Sequence, residues 1–422
     1  MNHLTYEKAI LVGCRTEKET EENFISSMKE LEALTETAGG QSVAELSQKR
    51  VRPHPATYIG KGKTEELISL TREIEPDVVI FNDELSPSQL RNLSKMLDVR
   101  LIDRTQLILD IFAQRARSRE GQLQVELAQL KYAMPRLVGQ GTELSRQAGG
   151  IGTRGPGETK LETDRRSIRK KIDEIKRQLE IIVSHRERYR ERRKHNSRFT
   201  FSLAGYTNAG KSTLFNRLAN ADVYEENQLF ATLDPTTREC VLPSGFKVLL
   251  SDTVGFIQDL PTSLIAAFRS TLEEVTESEA ILHVVDSSHL NHFIHEQTVY
   301  SILNDLDATR IPQLTVYNKK DLTSLSFLST SKGETIHISA FEEDDLKKLL
   351  FAMEKMVKEQ MLPYRILLEA HDGKSIARLK EETIVEEIIF DEENNTYQVV
   401  GYALTNHPVA GLVNPVLKSE EW

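Results

Sequence analysis

The sequence predicts a multidomain α/β protein, and three observations predict it. Short apolar runs of buried-strand type alternate with helical patterns over residues ~5–104 and again over ~198–360. Between these stretches, two segments carry apolar residues at alternating spacings of four and three. A last stretch, ~361–422, returns to strand and turn patterns. Strands separated by helices imply mostly parallel sheets, and 422 residues exceed a single ordinary core.

Composition narrows the class. An apolar share of 39% with 28% charged residues describes a globular chain, neither disordered nor membranous. No apolar run approaches the roughly 18 residues of a membrane-spanning helix. The opening Met1-Asn2-His3-Leu4 lacks the basic and apolar regions of a secretion signal, and Cys14 and Cys240 make neither metal spacing nor a disulfide framework. A reducing cytoplasmic setting is the expectation.

The net charge of −10 conceals an asymmetry. From Arg165 to Lys194, Lys and Arg outnumber Asp and Glu by 13 to 5, which leaves −18 for the rest of the chain. One basic segment on an acidic protein points to a single polyanion-facing surface.

The elements follow in order. Ala9–Val12, Asp77–Phe81 and the weaker Val99–Ile102 read as strands of the first domain, 1–104, with helices near 20–37, 63–74 and 87–97. Ser86-Pro87 supplies the cap and first residue of the last of these helices. In 105–197, Leu123, Leu127, Leu130, Met134 and Leu137 form one apolar stripe, and Ile168, Ile172, Ile175, Leu179 and Ile182 form another. Two such stripes joined by a connection long enough to reverse direction predict an antiparallel helical hairpin. The connection, Gly139–Gly157, is rich in glycine and carries Arg146 and Arg154. Its composition fits a plain linker as well as a basic loop that folds along a phosphate backbone. A third α/β domain spans 198–360. In the last domain, 361–422, Arg365–Leu368 and Tyr397–Tyr402 read as strands with Asp391–Asn395 as a turn between them, and Ser375–Lys380 as a helix fragment.

Four loops in 198–360 carry the chemistry. The strand Thr200–Ala204 runs into Gly205-Tyr206-Thr207-Asn208-Ala209-Gly210-Lys211-Ser212-Thr213 and then into a helical pattern. This is the phosphate loop in its required strand–loop–helix context: glycines let backbone N–H groups curl around a phosphate, Lys211 neutralises charge, and the Ser212 hydroxyl suits Mg²⁺. Asp252-Thr253-Val254-Gly255 follows the strand Lys247–Leu250, placing Asp252 to hold Mg²⁺ through water and the Gly255 N–H to sense a terminal phosphate. Asn318-Lys319-Lys320-Asp321 selects the base, because the Asp321 carboxylate accepts from two donors that guanine has and adenine lacks in that register. Ser339 and Ala340 bring backbone N–H groups suited to guanine O6. Between the first two loops lies Phe230-Ala231-Thr232-Leu233-Asp234-Pro235-Thr236-Thr237-Arg238, where Thr232, Thr236 and Thr237 are each able to bind Mg²⁺ in a switch segment. Together the loops imply Mg²⁺-dependent binding of GTP and GDP and GTP hydrolysis in a P-loop, Ras-like G domain.

These motifs resemble the HflX family of ribosome-associated GTPases. The resemblance extends to Pro55-Ala56-Thr57-Tyr58-Ile59-Gly60-Lys61-Gly62-Lys63, to Gly149–Glu162 and to Phe230–Thr236, and so covers ~1–360. It implies that Thr232 is the switch threonine and that Lys211, Thr232, Gly255 and Asn208 serve catalysis. It further implies that the GTP form binds the large (50S) ribosomal subunit and its 23S rRNA, and dissociates stalled ribosomes under stress such as heat. Arg146, Arg154, Arg165, Arg166, Arg188 and Arg190 would then approach RNA. Where many GTPases place a water-orienting glutamine after the Asp252–Gly255 loop, this chain has Phe256, with Gln258 two residues on. Slow intrinsic turnover stimulated by the ribosome is the consequence expected. Asn208 implies a K⁺ ion at the phosphate loop, and the Gly60–Lys63 helix start implies an ATP-binding option in the N-terminal domain. With no self-complementary surface in the sequence, a monomer is expected. Two other classes fit the same loops: an RNA-processing or tRNA-modification GTPase acting on free RNA, and a nucleotide sensor that docks a protein partner with little turnover.

Overall fold

The computed structural model describes residues 6–137, 156–195, 198–219, 229–230, 232, 235–257, 274–323, 327–331 and 333–404; side chains at 156–161 and 186–195 lie outside that description. The chain divides near residue 182 into two compact units, and a short stretch around Phe230 clusters with the first.

The first unit holds a four-stranded parallel sheet of β1 (Glu7–Thr16), β2 (Gly40–Arg50), β3 (Val78–Phe81) and β4 (Arg100–Asp103), in the order β2-β1-β3-β4. β1 and β3 are continuous apolar runs because they lie inside the sheet with both faces covered. On one face, Ile10, Val12, Cys14, Val79 and Phe81 pack on Leu67 of α2 (Lys61–Ile74) and Leu93 of α3 (Pro87–Ser94). α1 (Glu21–Thr37) starts at a Thr20 side-chain cap, and α3 starts at a full Ser86/Gln89 capping box, as the Ser-Pro signal predicts. α3 ends at Ser94, three residues short of the expected 97. The strand β2 goes beyond the sequence expectation, which held three strands here. Its sequence is mostly polar because it is an edge strand with alternating exposure.

α4 (Arg104–Arg115) leads into the hairpin of α5 (Arg119–Arg136) and α6 (Pro156–His195). Its seam is the predicted one: Leu123, Leu127, Ile172 and Ile175 are buried together, with Leu130, Met134, Ile168, Leu179 and Ile182 packed around them. Leu137 falls at the end cap of α5 and is not part of the cluster. Arg119 bonds Gln178 at 3.0 Å while Glu126 pairs with Lys171, so residue numbers fall on α6 as they rise on α5 and the helices are antiparallel. The connecting loop, with Arg146 and Arg154, lies outside the described residues.

The second unit contains a six-stranded sheet in the order β10-β9-β8-β5-β7-β6. Its strands are β5 (Thr200–Gly205), β6 (Thr236–Val241), β7 (Lys247–Asp252), β8 (Ala280–Asp286), β9 (Gln313–Asn318) and β10 (Glu334–His337), all parallel except β6. α7 (Lys211–Ala219), α8 (His292–Asp305) and α9 (Glu343–Glu359) accompany it. Phe199, Phe201, Leu203, Leu214, Val248 and Leu349 are among the residues of its core. The loops leaving β5, β7 and β9 meet at the carboxyl end of the sheet, where open α/β folds bind ligands.

Beyond α9 stands a three-stranded antiparallel sheet, β11-β13-β12, of β11 (Leu362–Glu369), β12 (Ile384–Asp391) and β13 (Thr396–Ala403), with α10 (Gly373–Glu382). β12 goes beyond the two strands expected, and the Asp391–Asn395 turn joins it to β13 rather than joining the expected pair. Glu386 and Glu387, at a register shift in β12, interrupt its alternation and hide it in the sequence.

Candidate functional site

β5 delivers the phosphate loop at its carboxyl end. The chain turns through Tyr206–Gly210 and enters α7 at Lys211. Asn208 and Gly210 adopt left-handed backbone, φ +59° and +90°, the alternation that makes a concave row of N–H groups. At Gly210 no other residue fits, since a Cβ there would lie 2.3 Å from Asn318 Nδ2. The Lys211 ammonium is buried and donates to the carbonyls of Gly205, 3.1 Å, and Tyr206, 2.8 Å. Burial lowers its pKa to about 8, against the opposing pull of Asp252.

Asp252 ends β7 fully buried, and the Ser212 hydroxyl donates to its Oδ2 at 2.8 Å. A hydroxyl and a carboxylate brought into contact are hard oxygen donors of the kind Mg²⁺ takes. The segment after Asp252 lies along the phosphate loop: the Thr207 N–H donates to Phe256 O at 2.7 Å, and the Phe256 N–H to Gly205 O at 3.1 Å. A Cβ on Gly255 would stand 3.1 Å from Lys211 Nζ and 2.8 Å from Thr207 Cγ2, so this glycine is what lets the two loops touch. Phe256 is buried, and Gln258 lies outside the described residues.

Asn318 binds three loops together. Its Nδ2 donates to Ala209 O and its Oδ1 accepts from the Ala340 N–H, both at 3.0 Å, and its own carbonyl accepts from the Ser287 hydroxyl at 2.6 Å. Lys319, at φ +62°, reaches Asp286 Oδ2 at 2.7 Å. Burial works against ionising Asp286, yet hydrogen bonds from Lys319 and Ser288 hold its carboxyl below the usual range. Asp321 sits exposed in the short turn Lys320–Leu322. The Ser339 N–H donates to Asp345 Oδ2 at 3.1 Å. Both N–H groups expected to face guanine O6 are thus engaged within the protein, and a bond from Ala340 to a base would be shared with Asn318.

In the first unit, Phe230 is 2% exposed at φ +56°, with its ring edge-on to Phe112 at 4.6 Å, while the Leu229 N–H reaches Thr37 Oγ1 at 3.4 Å. Thr232 is half-buried; Ala231, Leu233 and Asp234 lie outside the described residues. On α6, Arg166 is exposed and Arg165 partly so, whereas Arg188 and Arg190 fall where side chains are not described. Residues the sequence reading missed are Asp286 and Ser287, which hold the base loop, and His295, whose imidazole stacks on Tyr206. The polar run Asp286-Ser287-Ser288 at the end of an apolar strand is the signal that could have flagged the first two.

Three family matches follow one another from residue 25 to residue 319. Residues 25–113 match "GTP-binding GTPase N-terminal", 115–193 match "GTP-binding GTPase Middle Region", and 200–319 match "50S ribosome-binding GTPase". The protein "GTPase HflX" of Alkalihalophilus pseudofirmus is 56% identical over 400 residues, covering 95% of this chain and 94% of the relative. "GTPase HflX" of Escherichia coli K12 is 40% identical over 381 residues, covering 89% of each. Among solved structures, a GTP-binding protein of Sulfolobus solfataricus in complex with GDP is 23% identical, with a TM-score of 0.44 over 84% of this chain and 99% of that one.

Proposed function

The chain belongs to the HflX family of GTPases and hydrolyses GTP, and on that footing we propose that its GTP form grips the large (50S) ribosomal subunit, dissociates stalled ribosomes and lets go on hydrolysis. The observation that carries the ribosomal half is the similarity of residues 200–319 to a "50S ribosome-binding GTPase", joined to a basic hairpin. The exposed face of α6 offers Arg166, Arg169 and Lys170 for phosphate contacts, while its other face is used by the seam. The domain plan in this reading is four-part, divided at 104, 197 and 360.

In the site, the phosphate loop N–H groups and Lys211 bind the phosphates, and the Asn318–Asp321 loop orients the base. Ser212 and Asp252 would hold Mg²⁺, with Thr232 completing the set in the GTP form. When bound, the ion neutralises charge developing on the phosphates. Gly255, within reach of Lys211 Nζ, is positioned to report a terminal phosphate. Phe256 brings no hydrogen-bonding side chain to a water, so intrinsic hydrolysis is slow and the ribosome accelerates it. Asn208, exposed in a loop of otherwise mostly buried residues, offers its amide to K⁺; turnover should drop when KCl is replaced by NaCl, and an unchanged rate removes this role. The ATP option draws no support from the geometry at Gly60: its N–H is already bonded to Gln48 Oε1 at 2.7 Å, and Lys63 pairs with Glu66 at 2.9 Å.

Sucrose-gradient sedimentation with a non-hydrolysable GTP analogue tests the proposal. Migration with 50S particles, absent with GDP, supports it. Protein that stays at the top of the gradient with the analogue overturns it, in favour of action on free RNA or docking of a protein partner.

A further inference from the structure

Three histidines stand where β8 runs into α8: His289, His292 and His295. The His295 imidazole stacks face to face on Tyr206, with ring centres 3.7 Å apart and planes 6° apart. His289 lies against the same imidazole at 4.4 Å, tilted by 36°. Tyr206 is a phosphate-loop residue, yet it is only 5% exposed. Among the described residues no group of His, Cys, Asp or Glu has metal-holding geometry, so these rings act here as surfaces. Burial, helped by His289, pushes the His295 pKa down to about 3, so the stack joins two neutral rings.

We propose that His295 is a positioning residue for the nucleotide: stacked on Tyr206, it fixes the phosphate loop against α8 and sets how long a bound nucleotide stays.

The loop's own bonds explain why such a brace matters. Tyr206 O receives Lys211 Nζ, and the next residue's N–H is tied to Phe256 O, so displacing Tyr206 displaces both the cation and the neighbouring loop. Asn208 and Gly210 both hold left-handed backbone, a conformation the loop must keep when it binds. A loop ordered in advance spends less of its binding energy on ordering, whereas a freed one loses roughly 1–2 kcal/mol per residue on binding. Stacked aromatic pairs carry energies of the same order. His295 touches no reacting atom and acts through Tyr206, so the brace is read first in affinity and dwell time.

The test uses the full chain and GDP carrying a fluorescent N-methylanthraniloyl group. It rests on the phosphate loop being the nucleotide site, so binding of this probe to the unaltered chain is established first; failure there defeats that reading rather than the brace. His295→Ala should speed probe release and raise the KM for GTP about tenfold, with any loss of kcat smaller than the rise in KM. His295→Phe should restore slow release. Tyr206→Leu should match His295→Ala, and the double variant should be no worse than either single one. Release from folded His295→Ala at the unaltered rate overturns the proposal, as does fully additive behaviour of the two substitutions. If the alanine variant does not fold, release from His295→Phe decides: a fast rate overturns the stack, a slow one supports it.

Discussion

Replacing Asn318 by Ala should loosen the nucleotide cradle even before any nucleotide is present. The side chain is 2% exposed and makes two bonds of 3.0 Å, to Ala209 O and from the Ala340 N–H. Truncation leaves both backbone groups buried without that partner, at a cost of about 1–3 kcal/mol each. Taking about 1.5 kcal/mol for each gives a total near 3 kcal/mol, or more than a hundredfold in an opening equilibrium. Native-state hydrogen exchange of the intact chain reads this locally, at the amides of 314–318 and 338–340. Protection there should fall by about two decades, while β1 and β3, in the other compact unit, keep theirs. Asn318→Asp should be at least as damaging, because a buried carboxylate oxygen would face the Ala209 carbonyl. Protection within threefold of the unaltered chain for the alanine variant would refute the claim that this side chain binds the loops together.

Two further outcomes follow from the same structure. Lys211 has its pKa lowered to about 8 by burial, and bound phosphate must raise it again. Nucleotide affinity should therefore be fully present below pH 8 and fall by up to tenfold per unit above it, with proton uptake on binding at pH 9; calorimetry in buffers of different ionisation enthalpy checks this, and binding without proton uptake contradicts it. Ile175→Ala in the hairpin seam should cost about 2–4 kcal/mol, seen as lost exchange protection along α5 and α6, and protection unchanged there would show that the seam does not hold the hairpin.

Most of the candidate site was readable in the sequence because each loop is contiguous and follows an apolar strand. The seam was readable too, since spacings of four and three persist through both helices. What escaped depends on partners distant in the chain. β2 carries few apolar residues, and its pairing with β1 makes it a strand; β12 is disguised by two glutamates at its register shift. Tyr206 gives no sign of the ring it meets 89 positions later, and Asp286 none of its bond to Lys319. The Ser339 and Ala340 N–H groups were expected to be open to a base, because sequence cannot show that Asp345 and Asn318 bond them first. Phe230 read as a switch residue, and nothing in its own segment points to Phe112 as the ring it packs against.

GTP turnover measured with and without purified 50S subunits tests the ribosomal role most directly. A slow rate for the chain alone that rises severalfold or more when subunits are added, and does not rise with an equal mass of tRNA, is the predicted result. A rate indifferent to subunits, at concentrations where the chain is saturated with GTP, contradicts the account.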